Sequence, residues 1–407
     1  MATRSPFWVK TLPADQPPYR IDPDTYRRFD QRNNLTVGRP NWDETIRAFT
    51  KKVGATRAQR IQSGQSGYGI RDYGLFLAAG AVAFEFGTGI NAANRGLTAW
   101  MPEEGKPVAR DARWEGAPAD AAAMVKRAAR FFGADIVGIA PLNPLWIYSH
   151  AMWEEGEHKE IVFEMVDTPN ETEHQLVIPK AMQWVIVMGK RMDSGTLAYA
   201  PSPIGCAETR ITYSRMALLV STLAQFLRGL GYHAIPSIND LGLNIPMAID
   251  AGFGEQGRNG KLITPEFGPS VRLCKVVTDL PLQRDYPIRF GVAEFCGVCQ
   301  KCATGCPCHA ISQGERSWMG PNISNSAGHY VWHLNNESCR RYWAMGPADN
   351  CTVCIRVCPF TKPPGWIHDV TRAAISTVPA LDPLWRRLDD LLGYGNEKDT
   401  AEFWNGG

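Results

Sequence analysis

The chain has no stretch long and apolar enough to cross a bilayer: its most apolar run, Leu75 to Phe84, meets Glu85, well short of the about 20 residues that a spanning helix needs. Net charge is nearly absent as well. Lys+Arg at 43 against Asp+Glu at 41 leaves +2, which excludes a global electrostatic pull toward nucleic acid or an anionic membrane, so no nucleic-acid partner is expected. The first ten residues lack the pattern of a secretory signal. Arg27-Arg28 is followed by polar sequence through Asn34, not by the apolar segment of a twin-arginine signal. A soluble, cytoplasmic protein is expected as the sequence stands, the alternative being an exported, membrane-associated form whose signal has been removed. There is no internal repeat and no low-complexity tract. With 407 residues, 44% hydrophobic and 21% charged, the composition excludes disorder, collagen and coiled coil and allows two or three domains.

Residues 1–110 are rich in Pro, Gly, Asn and Arg and read as a loop-heavy covering unit with few periodic segments. From Pro118 the pattern sharpens. Ala119 to Gly133 predicts a helix closed by its glycine, and Ala134 to Leu142 a buried strand. A second strand is predicted from Trp184. Residues 207–230 predict a long helix with Met216, Leu219, Val220, Leu223, Phe226, Leu227 and Leu230 on one face, and the segments from His233 and Val271 read as further strands. Residues 111–290 thus form an α/β (α+β) core. Residues 291–368 hold most of the cysteines, and 369–407 form a C-terminal tail.

Nine of the eleven cysteines fall between Cys296 and Cys358, a clustering that suits metal ligation better than dispersed disulfides. Cys296-x2-Cys299-x2-Cys302-x3-Cys306-Pro307 reproduces the bacterial two-cluster ferredoxin run, and Cys339, Cys351, Cys354 and Cys358-Pro359 form a second set. In such runs the proline-terminated cysteine ligates the neighbouring cluster. One 4Fe-4S cluster is therefore assigned to Cys296, Cys299, Cys302 and Cys358, and the other to Cys306, Cys339, Cys351 and Cys354. The competing assignment is structural zinc, which also uses Cys-x2-Cys pairs. Cys206, Cys274 and Cys308 stand outside the two sets and read as buried thiols acting as small hydrophobes. Gly252-x-Gly254-x-x-Gly257 formally matches a dinucleotide fingerprint, but no apolar strand precedes it and no helix follows.

The double cysteine pattern, Thr212 to Tyr232, the stretch from Ile235 to Gly260, Ile263 to Leu282, and the early Arg27 to Asn33 with Arg39 to Trp42 together resemble the cobalamin-dependent reductive dehalogenases. The resemblance runs from about Ile21 to Pro363. It implies a nitroreductase-like core that holds a base-off corrinoid, without a histidine below the cobalt, beside a ferredoxin-like domain with two 4Fe-4S clusters. Position in the motifs makes Tyr213 the catalytic tyrosine, Asn239 the substrate-pocket asparagine and Arg272 the active-site arginine. Corrinoid contacts fall at Ser214, Ser237, Gly254, Gly257 and Arg258, and substrate-pocket contacts at Leu273 and Trp343. The chemistry is coherent: exchanging carbon–halogen for carbon–hydrogen takes two electrons and one proton, and a phenol is protonated at neutral pH. Without the resemblance, Tyr213 reads as a core tyrosine, Asn239 as a turn residue and Arg272 as half of an ion pair.

The glycine-rich loop and the two cysteine sets are shared with epoxyqueuosine reductases, which deoxygenate a modified tRNA base. That alternative calls for a basic face, which a net charge of +2 does not favour. A second alternative is a non-catalytic electron carrier or corrinoid-reactivating protein, against which Tyr213, Asn239 and Arg272 argue. About forty residues follow His368, too few for a fused flavin and ferredoxin reductase unit. An external low-potential donor is therefore expected, whether ferredoxin, flavodoxin or quinol-linked, and respiratory members of the family add a small membrane anchor protein. The organohalide depends on which of Phe29, Trp42, Trp100, Trp114, Tyr330, Trp332 and Trp343 converge, and spacing does not show that.

Overall fold

The computed structural model describes residues 6–85, 100, 113–152, 157–346, 350–362 and 365–405. The boundary expected near Arg110 lies outside the described residues. The N-terminal region is more regular than its composition suggests: helix α1 spans Glu44–Gln62 and α2 spans Ile70–Glu85. Asp43 starts α1, its carboxylate accepting from the amides of Thr45 and Ile46. Within α1 only Ile46 is buried, so almost no apolar periodicity announces the helix. α2 carries the apolar run that seemed notable in the sequence, and buries Tyr73 and Phe76 beside Cys206 and Ala207.

The partner of α2 is the long predicted helix. Helix α3 covers Pro118–Phe131 and α4 covers Pro203–Gly229, the latter starting four residues before the expected boundary because Ser202 caps it and Pro203 occupies the first turn. Met216, Leu219, Val220, Leu223 and Leu227 are buried as the periodicity predicts, with Phe226 and Leu230 partly buried. The small residues Ala79 and Ala83 of α2 let the two helices approach: Ser214 Oγ donates to the Ala79 carbonyl at 2.7 Å and accepts from the Ala83 amide at 3.2 Å.

In chain order the strands of the two four-stranded sheets are β1 (Ile136–Pro141), β2 (His150–Met152), β3 (His158–Glu164), β4 (Asn170–Glu171), β5 (Gln175–Pro179), β6 (Trp184–Arg191), β7 (Ala234–Ser237) and β8 (Val271–Thr278). The central sheet has the order β1-β6-β8-β7, and every pair is antiparallel, which makes the core α+β rather than a wound parallel sheet. A second sheet, β2-β3-β5-β4, was not legible in the sequence. β8 is central and buried along nearly its whole length. Its alternate residues face opposite ways: Cys274 and Val276 pack with α3 and α4, while Val271, Leu273 and Val277 join the cluster around Trp146 and Ile249. Helix α5 (Asn244–Asp250) lies on that second face.

The cysteine-rich region is built from short helices: α6 (Val292–Cys299), α7 (Lys301–Thr304), α8 (Asn336–Met345) and α9 (Val353–Arg356). Left-handed residues Gln300, His309 and Thr352 turn the chain beside the cysteines. The expected tail is helical, with α10 (Trp366–Thr377) and α11 (Asp382–Leu391). Ile375 of α10 packs among Phe290, Phe295 and Phe360. Asp389 of α11 accepts from Lys301 at 2.5 Å and Lys362 at 2.6 Å, so α11 clamps two loops that carry cysteines.

Candidate functional site

Three separate elements bring Tyr213, Asn239 and Arg272 together. Tyr213 projects from the middle of α4, Asn239 follows β7, and Arg272 is the second residue of β8, on the strand face that meets α4. Asn239 Nδ2 donates to the Tyr213 hydroxyl at 3.1 Å. The Arg272 guanidinium lies 5.5 Å from the centre of the Tyr213 ring and donates to Thr209 Oγ1, one helical turn before the tyrosine, at 3.2 Å. All three line one cavity of about 770 Å³, near the upper end of the range for small-molecule and cofactor sites.

The cavity walls come from the whole chain. The N-terminal region contributes Gln31, Asn34 and Thr50, the core Tyr148 and Leu273, and the cysteine-rich region His329, Trp332 and Trp343. Of the aromatic residues that the sequence left open, Trp332 and Trp343 reach the cavity. Phe29 and Trp100 instead belong to the core around Trp146, Trp42 is half exposed, Trp114 packs against the α3–α4 core, and Tyr330 stacks with Arg20.

Cys296, Cys299, Cys302 and Cys358 line a single smaller pocket with Ile263, Phe295 and Phe360. Burial pushes Cys296 up to about 12 and Cys299 up to about 11, so thiolates in so dry a place need a bound cation to hold them. In the second set, Cys306, Cys339 and Cys354 meet in one cluster with Ala310 and Leu334, and Cys351 feels the charges of Cys354 and Cys306. Cys308 differs from expectation: it is only partly buried, and its Sγ lies 3.6 Å from that of Cys306, among the second set. Cys206 and Cys274 are fully buried as expected. Among the described residues no three His, Cys, Asp or Glu side chains close on one metal-ion position.

The chain is 38% identical over 394 residues to the tetrachloroethene reductive dehalogenase of Sulfurospirillum multivorans, the match covering 90% of this chain and 78% of that protein. The chain belongs to the reductive dehalogenases. A second member, the tetrachloroethene reductive dehalogenase of Dehalobacter restrictus (strain DSM 9455 / PER-K23), is 37% identical over 70% of this chain, and only 55% of its own length is spanned. A solved reductive dehalogenase structure, described as bearing on B12-dependent dehalogenation, shares the fold with a TM-score of 0.67 at 20% identity. That match covers 95% of this chain and 49% of the solved one. No family model matches. No helix among the described residues is long and apolar enough to cross a membrane.

The cavity of this reductive dehalogenase has the chemistry of a corrinoid site. Gln256 Oε1, Arg272 Nε, Asn325 Oδ1, His329 Nε2 and Trp343 Nε1 are buried there without a hydrogen-bond partner in the protein. Buried polar atoms are rarely left so, and the peripheral amides of a corrinoid would satisfy them. The residues expected to contact the corrinoid do not line this cavity. Ser214 is engaged with α2 as described, and Ser237 Oγ accepts from the Leu241 amide at 3.2 Å. Gly254 has φ +153°, and a Cβ there would fall 1.9 Å from the Ile263 carbonyl, so backbone packing explains that glycine. Gly257 packs against Ile263. Arg258 is buried and donates to the carbonyls of Cys296, Ser312 and Gly314 at 2.8–2.9 Å, which ties the first cysteine loop to the core. None of these five lines the cavity, but Gln256, Gly260, Lys261 and Leu262 of the same loop do. The sequence signal was the loop itself; which of its sides faces inward is a matter of tertiary packing.

Proposed function

We propose that this chain removes halide from a small organohalide, with Tyr213 giving the proton and Arg272 and Asn239 holding the charge that the proton leaves behind. One observation carries the reading: Tyr213, with the Asn239 amide at 3.1 Å from its hydroxyl and the Arg272 guanidinium over its ring, lines a large cavity that the cysteine-rich region also walls. The overall change is R–X with two electrons and one proton to R–H and X⁻. A bound corrinoid would supply the low-potential electron pair that breaks the carbon–halogen bond, refilled through two 4Fe-4S clusters held by Cys296, Cys299, Cys302 and Cys358 and by Cys306, Cys339, Cys351 and Cys354. Tyr213 then transfers its hydroxyl proton to the substrate carbon. The phenolate so formed is stabilised by the Asn239 N–H and the positive charge of Arg272. Leu273, Val271 and Trp343 present an apolar wall to the substrate and keep water from competing as a proton source. Electrons reach the clusters from a separate low-potential donor.

The test is an anaerobic assay of protein reconstituted with cobalamin and clusters against a panel of organohalides. Tetrachloroethene, the compound for which the relatives are named, heads the panel, and released halide is read with an ion-selective electrode. Halide release that requires both cobalamin and reductant supports the reading. No release from any member of the panel by fully loaded protein overturns it.

A further inference from the structure

The Asn239 amide can face Tyr213 in two ways, with opposite consequences for a proton donor. If its N–H points at the phenol oxygen, the phenol proton stays free for the substrate. If its carbonyl does, the proton is tied up in a hydrogen bond. The structure has Nδ2 toward Tyr213, and the reason lies two residues deeper. Asn239 Oδ1 accepts from Asn244 Nδ2 at 3.1 Å. Asn244 cannot easily turn over, because Nδ2 also faces the carbonyls of Ile238 at 2.7 Å and Leu273 at 3.3 Å, which can only accept. Its Oδ1 accepts from Lys275 Nζ at 2.7 Å, and an ammonium can only donate.

Lys275 reaches Asn244 because it is three residues from Arg272 on β8 and therefore faces the opposite side of the strand, toward α5. It is fully buried. Burial pulls its proton affinity down while the charge of Asp240 opposes that fall, and Nζ also faces the Ile238 carbonyl at 3.3 Å, which can only accept, so it acts as a donor here. The donors thus run in one direction, from Lys275 to Asn244 to Asn239 to Tyr213. We infer that Asn244 and Lys275 are positioning residues that hold the Asn239 amide with its N–H toward Tyr213, leaving the phenol proton directed at the substrate. This rests on the reading of Tyr213 as the proton donor.

The decisive variant is Asn244→Asp in the holoenzyme. The carboxylate keeps the size of the side chain and its bond to Lys275, but offers Asn239 only acceptors, so the Asn239 amide turns and its carbonyl takes the Tyr213 hydroxyl. The expected result is a kcat at least tenfold lower with KM nearly unchanged, a larger solvent deuterium isotope effect on kcat, and wild-type iron, sulfide and cobalamin content. In an Asn239→Ala background the same substitution should cost no more than about twofold, because the chain is already cut. Lys275→Met, which removes the donor without adding charge, is the second variant and should lower kcat several-fold with the same dependence on Asn239. Wild-type kcat in loaded Asn244→Asp, a loss that persists undiminished on Asn239→Ala, or failure of both variants to bind their cofactors would overturn the inference, the last by making the two residues structural. A slow Tyr213→Phe with normal Asn244→Asp refutes this inference alone, while a wild-type Tyr213→Phe removes the reading on which it rests.

Discussion

Replacing Asp389 by asparagine removes the carboxylate that Lys301 and Lys362 share, at 2.5 and 2.6 Å, where all three side chains are at most 10% exposed. The lysines differ in what they would lose. Lys301 also has Asp390 at 2.8 Å, and its two carboxylate partners together outweigh its burial and hold its proton more tightly than usual. Lys362 is more deeply desolvated, and burial pulls it below the ordinary lysine range. Removing one partner of a buried ion pair costs about 3–5 kcal/mol. With Asp390 still serving Lys301, the lower end applies, about 3 kcal/mol, or roughly a hundredfold in local opening. That opening frees α11 from the loops that carry Cys299, Cys302 and Cys358. The assay is the rate at which iron–sulfur absorbance bleaches under anaerobic chelator, expected to be about a hundredfold faster in Asp389→Asn at neutral pH. The gap should narrow as pH rises and the unpaired lysine gives up its proton. Bleaching at the wild-type rate would refute the clamp.

Purified anaerobic protein should contain about eight iron and eight acid-labile sulfide, the sum of two cubanes, and Cys358→Ser should bring iron down to about four by emptying the Cys296 set alone; zinc near two with no iron would defeat the electron-transfer reading. His329 is pulled down to about 4, chiefly by burial, so it is neutral when folded but takes a proton below about 6.5 when unfolded. Its contribution is therefore fully present above about pH 6.5 and lost as pH falls toward 4, by up to roughly 3 kcal/mol. A guanidinium midpoint that drops further over that interval in wild type than in His329→Gln is the expected result, since His150, His333 and His368, also lowered by burial, titrate in both. Arg272→Lys should lower turnover while cobalamin still binds, since a compact ammonium cannot both sit over the Tyr213 ring and donate to Thr209 as a planar guanidinium does; unchanged kcat would assign Arg272 to packing.

Local signals were readable where a residue's neighbours in sequence are also its neighbours in space. The α4 stripe from Met216 to Leu227 announced itself by periodicity, the strand from Val271 by a short, mostly apolar run, and Cys296 to Cys306 by spacing. The N-terminal helices did not, because α1 buries almost nothing of its own and α2 is apolar for the sake of α4, a partner more than a hundred residues away. The corrinoid contacts expected at Ser214, Ser237 and Arg258 illustrate the same limit: each is a buried polar residue with a protein partner, and a motif shows only that a residue is needed, not which neighbour needs it. Asn244 and Lys275 carried no sequence signal, since their role exists only once α5 lies across β8. The tail's role was hidden for a similar reason, its acidic residues acquiring meaning from Lys301 and Lys362.

The central claim is that Tyr213 delivers the proton, and Tyr213→Phe tests it with least disturbance because only a hydroxyl is removed from a ring that packs against α4's own core face. The measurement is kcat for halide release by anaerobic, fully loaded wild-type and variant protein, with cluster and cobalamin spectra recorded on the same samples. A fall of about 10² or more with intact spectra is the result this account predicts; halide release near the wild-type rate would contradict it and return Tyr213 to the packing of the core.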